Sequence, residues 1–507
     1  MQDAIMAEPV KGRPRVRLGT VICFIFAFGL VFIGLMNVPT LASGADPKSI
    51  WETIISFYSG DIQPSYVLYK GIHSVYPYVW LYRLSQIFGR DSFFFIKIYY
   101  ALLFAYATAI GMPYIVTKLL NKNTKLWTRL LSILICYIIW TPFHVFTELS
   151  VDLPAMTYLI IAVVATIKFS QIASFTPPAY FFAVIVGALI GFASLGSGQF
   201  ELTALFLPVY VIIHFFRINP ARQALKRFKK TIPLICVFLL ISGIASLWMV
   251  ERNFEKTVVE PLNIRSGMDW VIRGLTRDLT MSTWNYPITK LPDNRGEAIL
   301  REDRGHTEVN QAYEATDASK NANGVTEGWA NPFQYSLAQY IKLALKHPLD
   351  FFMRFCNRLF YALDMDNGKS SILRIFTGFT LLYLALYAVF KRCKTLRSFF
   401  KPGLLIVAAF VVPVLISCFL QIEKRYTISL LVLVTCVGLF DDTLKNAYIA
   451  VKNMADRFRN RSSLNEIMSI KIFYPVAIYA IFIIVCFLHH ATIMETLGPS
   501  ISILFTL

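Results

Sequence analysis

Eleven apolar stretches recur along this chain, at roughly 18–36, 93–117, 127–147, 153–172, 179–196, 202–216, 232–250, 372–390, 402–419, 426–440 and 472–489, each able to cross a bilayer or nearly so. A bilayer core offers no water to pair with the backbone, so each stretch is read as a helix. The loops set the threading. Lys11, Arg13, Arg15 and Arg17 precede the first stretch, and Lys118, Lys122, Lys125 and Arg129 follow the second. Lys168 and basic clusters at 217–230, 391–401 and 445–471 come at every second turn after that, whereas loops 147–152 and 197–201 hold no Lys or Arg. Positive charge collects in cytoplasmic loops, so the N-terminus is expected inside the cell and, with an odd count, the C-terminus outside.

Only 16% of the 507 residues are charged and 56% are apolar. A soluble chain carries about 25% charged residues, so composition agrees with a multi-pass membrane protein. The net charge of +18 resides in short loops, where it orients helices, so it does not suggest nucleic acid. Cys23, Cys136, Cys236, Cys418, Cys436 and Cys486 fall in apolar stretches and Cys393 in a basic loop, leaving Cys356 alone on the outer side. No internal disulfide and no zinc site are expected. The one N-x-S/T match, at Asn460, falls in a cytoplasmic loop, which fits a bacterial inner membrane. Ser43-Gly44-Ala45 resembles a signal-peptidase site, but the 19-residue run before it exceeds the usual h-region of about 7–15 and is expected to remain as a span.

Two outer segments are long, 37–92 and 251–371. In the first, Asp46-Pro47 is expected to start a helix with the carboxylate at the cap, and the aromatic stretch Tyr66 to Tyr82 suits the membrane interface. In the second, Trp270 to Thr283 and Phe351 to Leu363 read as amphipathic surface helices, the latter with Arg354 and Arg358 on its polar face. Gly305 to Asn331 reads as a polar loop, and Asp441 to Asn465 as a basic cytoplasmic linker suited to anionic lipid. The expected architecture is all-α, with about 11 transmembrane helices. It divides into a transmembrane module at 1–250, the large outer loop at 251–371, and C-terminal helices at 372–507.

No Asp, Glu, Lys or Arg is expected near the middle of a span, where ion-coupled transporters keep them. Polar groups gather instead at the outer face: Asp46, Asp61, Lys70, Glu148, Asp152, Glu201, Arg265, Glu423, Lys424 and Arg425. That asymmetry favours an enzyme of the outer interface over a channel or pump. Plainer roles stand beside this one. Asp46 can cap the helix at Pro47, Asp152 can cap a span starting at Pro154, and Arg425 can anchor the boundary beside Tyr426. Asp364-Met365-Asp366 has the spacing of a metal-binding DxD, but its place at the end of a surface helix argues against it. His73, His306 and His347 face no evident nucleophile.

The order of parts resembles the GT-C glycosyltransferases, in particular the branch of protein mannosyltransferases and the lipid A aminoarabinose transferase. Tyr76-Pro77-Tyr78-Val79-Trp80-Leu81-Tyr82, followed by Gly89, is similar to that family's Tyr-x-Pro-Pro-Leu segment, with one proline in place of two. Glu148 to Pro154 resembles its second outer loop, Lys346-His347-Pro348 its break before a surface helix, and Glu423-Lys424-Arg425-Tyr426 the entry to a late span. The resemblance implies a GT-C-like fold and an inverting, metal-independent transfer of a sugar from a polyprenyl-phosphate carrier to a glycan or glycolipid outside the cell. Asp46 would be the base, with Asp152 orienting the acceptor or sharing that role. Lys70, Arg265 and Arg425 would hold the donor phosphate, with Arg83 a weaker candidate. No cofactor beyond the donor is implied. The implied partners are membrane lipid, the lipid-linked sugar and the acceptor, with no nucleic acid. A flippase of lipid-linked saccharides, or a polymerase joining them, is the alternative.

Overall fold

The computed structural model describes residues 18–43, 45–60, 72–121, 124–141, 146–172, 176–196, 203–218, 337–364, 372–392, 402–419, 424–441 and 473–497, with a few isolated positions between them. All regular structure among the described residues is helical. The N-terminal part contains α1 (Leu18–Met36), α2 (Ala45–Ser59), α3 (Ile72–Ile87), α4 (Phe94–Leu120), α5 (Leu126–Trp140), α6 (Asp152–Ser170), α7 (Pro177–Gly196) and α8 (Thr203–Ile218). The C-terminal part contains α9 (Leu337–Lys346), α10 (Pro348–Leu363), α11 (Ile372–Arg392), α12 (Pro402–Phe419), α13 (Lys424–Phe440) and α14 (Phe473–Leu497). Ten of the eleven apolar stretches fall on these helices. The eleventh, 232–250, lies outside the described residues apart from isolated positions.

Three helices, α1, α4 and α6, are long and apolar enough to cross a membrane, and six shorter apolar segments of 10–17 residues lie within α5, α7 and α11–α14. The protein is thus compatible with membrane association. Its helices divide by how they are enclosed. On α1 only Cys23, Ala27, Val31 and Leu35 are buried, a narrow stripe at four-residue spacing that packs on α4 and α5. Ile22, Ile25, Phe26 and Ile33 stay exposed, as suits a helix with lipid on one side. By contrast α6 is enclosed by α4, α7, α8 and α13, with 83% of its apolar window buried. Its hydroxyls turn back onto the helix: Thr157 donates to the Leu153 carbonyl (2.9 Å) and Thr166 to that of Ala162 (2.7 Å). Helix α13 is buried from Thr427 to Phe440, among α4, α5, α6, α10, α11 and α12. A Cβ on Gly438 would stand 2.9 Å from the Leu381 carbonyl oxygen, so glycine there permits the close approach of α11 and α13. One continuous core runs from Cys23 on α1 to Phe440 on α13, joining N- and C-terminal helices. Helix α14 packs outside it on α11, where Thr380 and Tyr479 share a 2.8 Å hydrogen bond.

The middle of α4 shows how sequence shapes a helix where water is excluded. Pro113 has no N–H, so the Ala109 carbonyl lacks its α-helical partner four residues on. The chain responds by loosening into i→i+5 pairing over Tyr106–Gly111, with the Met112 amide reaching the Ala107 carbonyl. Arg129, one turn into α5, fills the vacancy: its Nη2 donates to the Ala109 carbonyl at 2.5 Å while Nη1 holds the Thr20 hydroxyl of α1 at 3.1 Å. One guanidinium thus ties three helices. Gly111 allows the loosened turn to meet α6, since a Cβ there would stand 2.3 Å from the Ile160 methyl Cγ2.

Polar contacts sort by helix end. Lys118 and Lys168 lie over the Tyr114 ring (5.9 and 5.6 Å), joining the end of α4 to the end of α6. At the opposite end, Lys97 donates to the Val38 carbonyl (2.9 Å), and the Leu149 amide to the Leu41 carbonyl (2.7 Å).

Some sequence expectations are revised. The helix near Asp46 spans Ala45–Ser59, so Asp46 and Pro47 lie in its first turn. Helix α6 begins at Asp152, with Val151 as its cap and no side-chain cap bond, so Asp152 is not the cap. Arg358 does not occupy a polar face of α10. It is buried (1% exposed), and its Nη1 donates to the Cys418 carbonyl at 3.1 Å, at the C-terminal end of α12. A cation there satisfies a terminal carbonyl and opposes the helix dipole. Among the described side chains of α10, the large apolar Leu349, Phe352 and Met353 are exposed instead. Trp270 to Thr283, most of 305–331 and most of 441–465 lie outside the described residues.

Replacing Arg129 with Leu should leave the Ala109 carbonyl without its donor and lower stability by about 1–3 kcal/mol. Thermal unfolding in detergent measures this, and a midpoint equal to wild type would refute the tie. Gly111→Ala should destabilise as well, because the Ile160 methyl must move.

Candidate functional site

The end of the bundle that carries Lys97 also holds the helix starts that carry Asp46 and Asp152. Three short-range ties build it. Lys97, buried at the start of α4, donates to Val38 and lies 3.5 Å from the half-exposed Asp91 carboxylate. The bond between Leu149 and Leu41 then joins the segment entering α6 to the segment entering α2. Asp46 follows Leu41 by five residues and Asp152 follows Leu149 by three, so the two acid-bearing helix starts come from neighbouring backbone.

Helix α2 is held there by aromatic packing on α3 and the start of α4. Trp51 meets Tyr82 edge-on (centroids 5.3 Å) and lies 4.4 Å from Phe93, and Tyr58 meets Tyr82 at 4.9 Å. Pro47, Ile50 and Ile54 bury one face of α2, at the i, i+3, i+7 spacing of a helix stripe. Asp46 belongs to that first turn, while its side chain lies outside the described residues.

Ser150 is the centre of a phenol cluster. Its carbonyl accepts from Tyr78 of α3 (2.5 Å) and from Tyr100 of α4 (3.1 Å), and its amide donates to the Tyr100 oxygen at 2.8 Å. The two phenol oxygens lie 3.1 Å apart. From the other side of Ser150, the hydroxyl donates to Asp152 Oδ2 (3.0 Å) and accepts from the Asp152 amide (3.1 Å). Asp152 is 5% exposed, in the first turn of α6, where a negative charge is favoured by the helix dipole. Burial pushes the Tyr78 phenol well above its ordinary value, and Tyr100 and Tyr99 push it further, so Tyr78 stays a neutral donor. Next to this cluster, Tyr99 pairs with Tyr158 of α6.

Lys70 and Arg265 lie outside the described residues. Arg425 lies in the first turn of α13, and its side chain is outside them too. Arg83 is exposed and packs over Trp80 at 5.3 Å. His347 is buried at the break between α9 and α10, with Nε2 3.8 Å from Glu302 and Nδ1 4.0 Å from Asp350. Asp364 is buried at the end of α10, while Met365 and Asp366 lie outside the described residues. Among the described residues no three His, Cys, Asp or Glu side chains group as a metal site.

Tyr78, Tyr100 and Ser150 were not singled out from the sequence as functional. Tyrosines at span ends are common interface residues, and nothing in local spacing distinguishes a phenol that reaches another helix's backbone. No protein-family model matches the chain, and no curated protein sequence is significantly similar to it.

Replacing Lys97 with Met keeps the buried stem but removes the donor to Val38. Amide hydrogen exchange over residues 37–43 should then speed up by about tenfold, the equivalent of one lost hydrogen bond of about 1.4 kcal/mol. Unchanged exchange would show that Lys97 does not hold this segment.

Proposed function

We propose that the protein is an inverting glycosyltransferase that moves a sugar from a polyprenyl-phosphate carrier to an acceptor hydroxyl on a cell-envelope glycan or glycolipid. The observation that carries this reading is the pairing of two acid-bearing helix starts through Leu41 and Leu149, beside the buried Ser150–Asp152 pair. The fold of the described residues supports it too. Their helices suit a membrane setting, and a polyprenyl donor does not leave the membrane.

In this mechanism the acceptor oxygen attacks the anomeric carbon, the carbon–oxygen bond to phosphate breaks, and the electron pair leaves with the phosphate. A phosphate monoester is a good leaving group, so the main demand is removal of the acceptor proton by a carboxylate. Asp46 is proposed as that base. Asp152, buried and bonded to Ser150, is better suited to orienting the acceptor than to meeting bulk solvent. Lys70, Arg265 and Arg425 are the proposed partners of the departing phosphate, where Arg can bind two oxygens at once. Attack opposite the phosphate inverts the anomeric centre. The reading puts the ends that carry Lys118 and Lys168 in the cytoplasm of a bacterial inner membrane, and the Asp46–Asp152 end outside.

Purified protein in detergent, incubated with a radiolabelled polyprenyl-phosphate sugar and envelope glycolipid, tests this directly. Transfer without a sealed compartment is expected from an enzyme and not from a flippase. Asp46→Asn should lower turnover by about 10²–10⁴-fold, the range for loss of a general base, with the unfolding midpoint unchanged. Normal turnover by this variant would remove Asp46 from the mechanism.

A further inference from the structure

The phenols around Ser150 do more than fill space. Phenylalanine would occupy the same volume, yet two phenols from two helices converge on both backbone groups of one loop residue. Each proton in the cluster has a place. Tyr78 gives its proton to the Ser150 carbonyl, the Ser150 amide gives its proton to the Tyr100 oxygen, and Tyr100 points its own proton back to that carbonyl. The Ser150 hydroxyl is then left to serve Asp152 alone, donating to Oδ2 and accepting from the amide. Two bonds between the same two residues hold the carboxylate relative to its own backbone. Fixing the Ser150 backbone therefore fixes the Asp152 side chain.

We infer that Tyr100 and Tyr78 are positioning residues, which act through Ser150 to hold the Asp152 carboxylate in one orientation at the start of α6. Tyr100 carries more of this than Tyr78, because it bonds both the amide and the carbonyl of Ser150, while Tyr78 bonds only the carbonyl. Tyr99 provides an internal contrast. It neighbours Tyr100 in sequence and packs with the same rings (centroids 6.2 Å from Tyr78 and 6.3 Å from Tyr100), but its hydroxyl pairs with Tyr158. The consequence for catalysis rests on the reading of Asp152 as an active-site acid; the positioning itself does not.

The test uses infrared difference spectroscopy on the full-length protein in nanodiscs, with the Asp152 carboxylate band identified by its loss in Asp152→Asn. Tyr100→Phe and Ser150→Ala should shift that band, Tyr78→Phe should shift it less, and Tyr99→Phe and Ser150→Thr should leave it at the wild-type frequency. In the transfer assay, Tyr100→Phe should lower kcat by about tenfold with KM within about twofold, as misplacement of a catalytic group does. An unshifted band in folded Tyr100→Phe and Ser150→Ala would overturn the proposal. So would equal shifts in Tyr99→Phe and Tyr100→Phe, which would mark a packing effect only. A shifted band with no transfer by wild type would leave the positioning intact and reject the glycosyltransferase reading instead.

Discussion

A carbonyl or amide without a partner costs several kcal/mol where water is excluded, and the structure is organised around avoiding that cost. Two places show the response. In α4, Pro113 cannot serve the Ala109 carbonyl, and a guanidinium from α5 takes over. Before α6, the irregular residue Ser150 has no helix to satisfy it, and phenols from α3 and α4 do so. In both, the repair comes from a different helix, so local backbone chemistry becomes a tertiary contact. The helix ends are located by these contacts as much as by apolar packing.

The interior helices reflect the same constraint in another form. Most of α6 and α13 is buried, and Thr157, Thr166 and Thr435 donate their hydroxyl protons to carbonyls of their own helix. Small residues allow the surrounding helices to come close, with Gly111 against α6 and Gly438 against α11. Where α1 faces outward, the apolar residues stay exposed and only a four-residue stripe is buried.

The helices were largely legible in the sequence, because a run of some 20 apolar residues leaves the chain few other options. The first turns were harder. Asp46 and Asp152 each precede a proline at short range and read as caps, yet both helices begin early enough to include them. Arg358 read as solvated because alternate faces of α10 differ in polarity. The C-terminal end of α12, some 60 residues away in sequence, provides the carbonyl that draws it inside. The Ser150 cluster was invisible for a related reason. Its members come from positions 78, 100, 150 and 152, and nothing local to any of them announces the others. Asp152 was legible as an acid beside the start of a span, but not the serine and phenols that hold it.

The place of α13 bears on how the molecule is made. It is wedged among α4, α5 and α6, although some three hundred residues separate it from them in the chain. During synthesis those early helices emerge first and must wait for their central neighbour. Until it arrives, the groove it will fill between α4, α5 and α6 stays open. Assembly of the bundle is therefore completed late, and chains that stop short of residue 440 lack the piece that closes its middle.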